Sequence, residues 1–387
     1  MSPDGREPAG PRRWRRALFR LHLILGLLIS VPVVPLAATG AILSFRPEII
    51  GWFENDVIVV DRGGLRLPPG ELMRRAERVL PREAKVESLQ LERPPTAPAV
   101  LGSEFGFWLL DPYDGHVLRA SVIRRLFLAA EEIHWTVGLV LVGMRGIGTA
   151  LAGLVAVGVF LLSLSGPWLW WTRNLRSAGR RRVWLSRTSG ETSRGFRSHH
   201  VIGICCAPVI LAASLTGILL HYEGAQAGVA ALLGRAPEAQ VMLDVDSAVR
   251  EAIARAPDWS ALRVWWAEDG VMTLRVRVAG GTRPTEWAEL DSGLPDGSGV
   301  RKVTLRRYQD GRSGDKVLGW ARWVHTGQAL GRIGQAAWGV ATLSILALVG
   351  TGIAMAFVFI RRWIANASRT DPPNSPEQRV VVLLKEE

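Results

Sequence analysis

Cysteine is nearly missing from this chain. Its two copies, Cys205 and Cys206, are adjacent and sit inside an apolar run. Neighbouring residues give no disulfide framework, and small buried side chains account for them more simply than chemistry does. No Gly-x-Gly-x-x-Gly follows a strand-like stretch and no P-loop occurs, which removes the common nucleotide sites. Nothing builds a catalytic triad or a metal-hydroxide site, so a hydrolase is not indicated. Most telling is where charge is missing. Leu21 to Phe45, Gly146 to Thr172, Val201 to Leu220 and Ile333 to Ile360 contain no Asp, Glu, Lys or Arg.

A helix needs about 20 apolar residues to cross the hydrocarbon core of a bilayer, and all four blocks are long enough. A soluble core helix would show a polar stripe, and these show none. Pro32, Pro35 and Pro208 would break a soluble helix but are tolerated where neighbouring helices satisfy the freed backbone groups. The first block is too long for a signal peptide and reads as an uncleaved span.

The basic residues sit at the block ends. Six arginines lie in the first 20 positions. Arg173, Arg176, Arg180, Arg181, Arg182, Arg187, Arg194 and Arg197 face only Glu191 between the second and third blocks, and Arg361 and Arg362 follow the fourth. Positive-inside asymmetry puts all three segments, and both termini, in the cytoplasm. The net charge of +12 is then a matter of topology, and nucleic acid is not expected as a partner.

The chain also repeats itself. His22-Leu-Ile-Leu-Gly26 through Thr39-Gly40 corresponds to His199-His200-Val-Ile-Gly203 through Thr216-Gly217 at an offset of 177. Glu71 to Pro81 corresponds to Ser247 to Pro257, each reading as a short helix followed by strands. Gly106 to Leu110 and Val271 to Val278 are the clearest strands. His134 with Arg145-Gly-Ile-Gly148 and Ser165-Gly166 matches His325 with Arg332-Ile-Gly334 and Thr351-Gly352. The expected fold class is an α-helical membrane protein: four transmembrane helices as two parallel repeats about an axis along the membrane normal, with two small α+β extracytoplasmic domains. The expected boundaries are a basic N-terminus 1–20, a first span 21–45 and a first outer domain 46–132. An outer histidine segment with the second span, 133–172, and a cytoplasmic loop 173–198 come next. The second half has a third span 199–222, an outer domain 223–322, a histidine segment with the fourth span 323–361, and a disordered tail 362–387.

Six of the seven histidines fall at helix ends. A lone interfacial histidine needs no function, but ionisable residues near spans are costly and parallel duplication arranges these in pairs. His22 falls beside His199 at the cytoplasmic ends, and His134 beside His325 at the outer ends. Facing imidazoles, one on each side of an iron, are what a six-coordinate haem needs. Without a Cys-x-x-Cys-His motif the haem would be held non-covalently, as b-type. Zinc and copper sites gather their ligands in one cluster, which histidines split between two leaflets do not offer. Gly26, Gly138 and Gly203, each four residues after a histidine, are expected one turn along the same face, leaving room for a flat ring. His200 is an alternative to His199, and His221 a rival or supplement on the outer side. Arg20, Arg145, Arg197 and Arg332 are candidate partners for anionic propionates. Trp52, Trp135, Trp168, Trp170, Trp171, Trp323 and Trp363 read as interfacial anchors.

These motifs, in this order, resemble the PepSY-associated transmembrane family of bacterial inner-membrane proteins. The resemblance is carried by His22 to Gly26, Thr39-Gly40-Ala41 and Phe45 to Glu48. Trp108-Leu-Leu-Asp111-Pro-Tyr-Asp-Gly115, Ile133-His134, Ser165-Gly-Pro-Trp168, Val324-His325 and Thr351-Gly352 continue it, over roughly residues 12 to 363. Departures are Asp291 to Gly297, in place of a clean turn, and Ser165, where threonine is more usual. The resemblance implies PepSY-like outer domains. It also implies a di-haem reductase that passes electrons from a cytoplasmic or quinol donor to a ferric siderophore or other ferric chelate outside. The other classes weighed are a non-enzymatic regulator of a peptidase or transport partner, and a transporter. Four spans without broken midplane helices argue against the last.

Overall fold

The computed structural model describes residues 10–78, 80, 85–175, 191–235, 243–266, 272–278, 287–295 and 301–367. Most of the basic loop at 173–198 and of the tail at 362–387, and the end of the Asp291 to Gly297 departure, lie outside the described residues. The first half runs α1 (Gly10–Ile29), α2 (Val33–Leu43), α3 (Arg46–Glu54), α4 (Pro69–Glu77), β1 (Val86–Glu92), β2 (Ala99–Ser103), β3 (Gly106–Leu110), β4 (Val117–Ala120), α5 (Val122–Thr136) and α6 (Arg145–Leu175). The second runs α7 (Glu191–His221), α8 (Glu223–Leu233), α9 (Val245–Arg255), β5 (Trp259–Trp266), β6 (Met272–Val278), β7 (Trp287–Pro295), β8 (Arg301–Arg307), α10 (Ser313–His325) and α11 (Gly331–Ala367). The same order of elements appears twice.

Arg145–Thr172, Arg197–His221 and Gln328–Arg361 are helical and apolar enough to cross a membrane. The first apolar block is not one straight helix, as expected, but α1 and α2 bent by 73°. Pro32 and Pro35 explain the difference. Each removes an N–H from the ladder, and the chain turns through short bonds from Ser30 N to Leu27 O and from Val34 N to Val31 O. The matching helix α7 contains only Pro208 and stays continuous. The bent pair makes a fourth span only if both parts are counted together. Close packing follows small residues: a Cβ at Gly158 of α6 would lie 3.1 Å from Ile29. At the end of α2, buried Gln335 (3% exposed) donates to the Ser44 carbonyl at 2.9 Å and to Glu48 at 3.0 Å.

The two expected outer domains are joined in one sheet. The strand order is β4-β3-β2-β1-β5-β6-β7-β8, antiparallel throughout. β1 pairs with β5, its own counterpart, with Leu89 opposite Val264. Antiparallel pairing of equivalent strands places a pseudo-twofold axis between them, the isologous arrangement of a homodimer. Gly70 and Asp246, equivalents in the two halves, meet across it: the Gly70 N–H donates to Asp246 Oδ1 at 2.6 Å. α4 and α9 cover one face of the sheet. Leu72 and Ala76 pack with Leu89, Leu101 and Leu110, and Ala248, Val249 and Ala252 with Leu262, Val264, Leu274 and Leu290. The Asp111 to Gly115 segment forms the β3–β4 turn. Asp111 Oδ1 accepts from Tyr113 N at 2.8 Å, Asp114 Oδ1 from His116 N at 2.8 Å, and Gly115 takes φ 77°. The His116 N–H holds the Asp114 carboxyl below its ordinary value.

The sheet is fastened to the helices through α5. Its N-cap Ser121 accepts from Arg124 N. Glu54, 9% exposed, and Arg124, 15% exposed, form a two-pronged ion pair at 2.8 to 3.1 Å. Removing one member of a buried pair strands the other charge. Glu54→Ala is expected to destabilise the protein by about 3–5 kcal/mol, seen as a lower melting temperature in detergent. Replacing both, Glu54→Leu with Arg124→Met, is expected to restore most of the loss.

Candidate functional site

His134 and His325 do not open the spans, as the sequence suggested. They close the short helices α5 and α10, whose C-terminal ends enter the bundle. Val137 (φ 55°) and Gly138 (φ 82°) end α5 in left-handed conformation, and Gly327 (φ 74°) follows α10. Gly138 is thus a helix terminator, not a residue one turn along the histidine's face. The next helices cross these ends closely. A Cβ at Gly148 would stand 2.3 Å from the Thr136 carbonyl oxygen, and one at Gly334 would stand 2.2 Å from that of Gly327. Those two glycines, from the Arg-Gly-Ile-Gly and Arg-Ile-Gly motifs, let the histidine helices seat.

All four paired histidines are held alike. His134 Nδ1 lies 3.0 Å from Thr39 Oγ1 and His325 Nδ1 lies 3.3 Å from Thr216 Oγ1. His199 Nδ1 lies 2.9 Å from Thr351 Oγ1 and His22 Nδ1 lies 2.7 Å from Ser165 Oγ. The three threonine hydroxyls already donate to carbonyls of their own helices, Thr39 to Pro35 at 2.6 Å, Thr216 to Ala212 at 2.7 Å and Thr351 to Ala347 at 2.7 Å. Their oxygens are therefore acceptors, and Nδ1 carries the proton. A carbonyl three residues before the threonine joins them: Ala213 at 2.9 Å from His325 Nδ1, with Leu36 and Leu348 playing the same part for His134 and His199. Fixing the proton on Nδ1 leaves the Nε2 lone pair available to a metal.

The glycine of each pair makes room for the ring. Ideal Cβ positions at Gly40 and Gly217 lie 3.1 Å from Cε1 of His134 and His325, and those at Gly166 and Gly352 lie 3.5 and 3.6 Å from Cε1 of His22 and His199. Hydroxyl and glycine together form a histidine cradle, built four times. The sequence displayed all four Ser/Thr-Gly pairs as repeats, but their task becomes visible only when each is seen to face a histidine from another helix.

The rings of His134 and His325 lie edge to face, with centroids 6.2 Å apart and planes at 65°. Two imidazoles bound to one iron from opposite sides, at about 2 Å per bond, would stand about 6 Å apart between ring centres. The outer pair, with Nε2 of each ring unprotonated, fits a six-coordinate haem in both donor chemistry and spacing. His22, His199 and His200 form the second group, close enough for their charges to interact. The His199 and His200 rings are 6.4 Å apart, and of the two it is His199 that occupies a cradle. A side chain added at Gly26 would meet nothing within 4 Å, and one at Gly203 only Leu348 at 3.7 Å.

His221 lies elsewhere. Its ring stacks on Trp135, 5.7 Å between centres, and packs onto Gly153, while the Thr149 carbonyl takes a hydrogen bond from it. Tyr222 shares that place against Gly153, and Phe45, its counterpart at the offset of 177, packs on Gly339 in the other half. Arg145 forms a salt bridge with Glu132. Arg20 and Arg332 are exposed and Arg197 half-buried.

Substitution at the crossing glycines tests the seating. Gly148→Ala and Gly334→Ala are each expected to cost about 1–3 kcal/mol through overpacking, because the obstructing atom is backbone. Gly146→Ala, with nothing within 4 Å, is expected to leave thermal unfolding in detergent unchanged.

The family described as the PepSY-associated TM region matches residues 19–358 of the chain. No individual curated protein matches it.

Proposed function

Because the chain belongs to the PepSY-associated TM family, we propose that it is a di-haem membrane oxidoreductase that reduces a ferric siderophore or other ferric chelate. The observation that carries this reading is the four-fold histidine cradle, with two cradled rings 6.2 Å apart. His134 and His325 would hold one haem b, and His22 and His199 a second. When bound, each haem supplies a one-electron iron couple whose potential answers to its axial ligands and burial.

The chain's own residues do the rest. Thr39, Thr216 and Thr351 hold their rings in the tautomer that presents Nε2, and raise its basicity through the Nδ1 hydrogen bond; Ser165 bonds Nδ1 of the fourth, His22. The apolar walls of α1, α2, α6, α7 and α11 keep bulk water from both pairs. Positive-inside asymmetry orients the chain with both termini in the cytoplasm of a bacterium and the sheet outside the inner membrane. The lipid bilayer is then its solvent, and the inner pair lies toward a cytoplasmic or quinol donor. One electron delivered outward converts one chelated Fe(III) to Fe(II). The softer ion is bound more weakly by hard oxygen donors and leaves the chelator.

The reading predicts two b-type haems per chain by pyridine haemochrome, with low-spin bands in the reduced-minus-oxidised spectrum. His134→Ala or His325→Ala is expected to remove the outer haem, and His22→Ala or His199→Ala the inner one. His221→Phe is expected to keep both, since His221 stacks on Trp135 and occupies none of the four cradles. Thr216→Val is expected to weaken retention of the outer haem about 10–100-fold. Folded protein made with ample haem supply but containing none would overturn the reading in favour of a non-enzymatic regulator of a peptidase or transport partner.

A further inference from the structure

One cation beside the outer histidines has no counter-ion of its own. Arg322 lies three residues before His325 on α10, and Glu131 lies three residues before His134 on α5. Three residues rise about 4.5 Å along a helix and return to nearly the same face. Both side chains therefore start one turn outward from the rings. The Arg322 charge acts on the His325 ring and on Glu131 of the facing helix. Its guanidinium is thus on the side of α10 that looks toward α5.

The two halves treat this place differently. In the first, Glu131 is closed by Arg46, at the start of α3, with 2.8 Å between them. In the second the signs are exchanged. Arg322 stands where the first half has Glu131, and Glu223, at the start of α8 and 177 positions after Arg46, stands where it has Arg46. The same salt bridge could form with its charges reversed. Among the described residues it does not, and no carboxylate comes within ion-pair distance of Arg322. The acid whose charge reaches it is Glu131, which Arg46 already neutralises.

Burial among protein atoms, then the like charge of Arg275, pull the Arg322 guanidinium below its ordinary value, yet the side chain keeps solvent access. A partly desolvated cation without a partner is unfavourable until an anion joins it. A guanidinium fork takes a carboxylate through two parallel hydrogen bonds, matching it in shape as well as charge. The group that His134 and His325 are built to hold brings such carboxylates with it, tethered one helical turn from this fork.

We propose that Arg322 anchors one propionate of the haem held by His134 and His325, and so fixes which edge of that ring points out of the bundle. The proposal rests on the reductase reading and adds to it the protein partner of one cofactor carboxylate. Arg46 and Glu131 satisfy each other on the facing helix, which leaves Arg322 as the cation to spare.

The experiment uses the full-length chain in detergent, stripped of haem and refilled with haem b or with its dimethyl ester, in which both carboxylates are capped and uncharged. Filling of the outer site is read from the part of the Soret change that His325→Ala lacks. Wild-type protein is expected to hold haem b there at least tenfold tighter than the ester. Arg322→Gln is expected to lose about tenfold for haem b, the value of one charge-assisted hydrogen bond, and to hold the ester as wild type does. Arg322→Lys is expected to lose less. Equal weakening of haem b and ester by Arg322→Gln overturns the proposal, since the side chain would then be structural. Wild-type affinity of Arg322→Gln for both also overturns it, and leaves the charge to some other anion, such as a carboxylate on the chelate. The two readings fail in different ways. Folded wild-type protein that takes up neither haem b nor ester sinks the reductase, and the anchor with it. Protein that fills its outer site but does not discriminate between the two sinks the anchor alone.

Discussion

An imidazole between membrane helices has two ring nitrogens to satisfy and no water to satisfy them with. In this protein one hydroxyl and one carbonyl settle Nδ1 of His134, His199 and His325, the Ser165 hydroxyl meets that of His22, and the adjacent glycine admits each ring. Much else follows from that requirement. The hydroxyl must come from a different helix than the histidine, so each cradle ties two elements: α1 to α6, α2 to α5, α7 to α10 and α7 to α11. Histidines at the ends of short helices must be brought into the bundle, which needs left-handed breaks after α5 and α10 and glycines where the next helices cross them. The four cradles are the bundle's polar fastenings, and at His134, His199 and His325 they also leave Nε2 unspent.

Much of this was legible in the sequence. Four charge-free blocks, a repeat offset of 177 and the pairing of His134 with His325 all came from pattern alone, because span length and duplication are one-dimensional properties. Strand β3 falls on the residues read as a strand, Gly106 to Leu110, and α4 and α9 on the repeated short helices. The Ser/Thr-Gly pairs were visible as repeats but mute, since nothing local says that Thr39 faces a residue 95 positions away. The bend at Pro32 and Pro35 was underestimated: one proline is tolerated in α7, while two spaced by three turn the chain. Gly138 was misplaced because four residues on is the same face only while the helix continues, and α5 ends first.

The sheet was the least legible part. Two small domains were expected because each half carries its own helix and strands. Nothing in either half announces that β1 will pair with β5, since pairing partners that far apart leave no local mark. That pairing makes one eight-stranded platform with an apolar face under α4 and α9 and, on the other face, Arg263, Arg275 and Arg306 in one row. The apolar alternation of β6 was evident in the sequence; which face α9 would cover was not.

The pairing of β1 with its own counterpart bears on what half of this chain would be worth. A single repeat, from α1 to α6 or from α7 to α11, carries one member of each histidine pair and can complete neither. Two separate copies would have to meet, and their assembly would depend on how crowded they were in the bilayer. Joining them in one polypeptide replaces that dependence with a fixed, high local concentration. It also releases the halves from having to complement themselves. One side can keep Ser44 where the other has His221, bend its first helix where the other runs straight, and set Gly70 against Asp246 at a contact that identical copies would have to share.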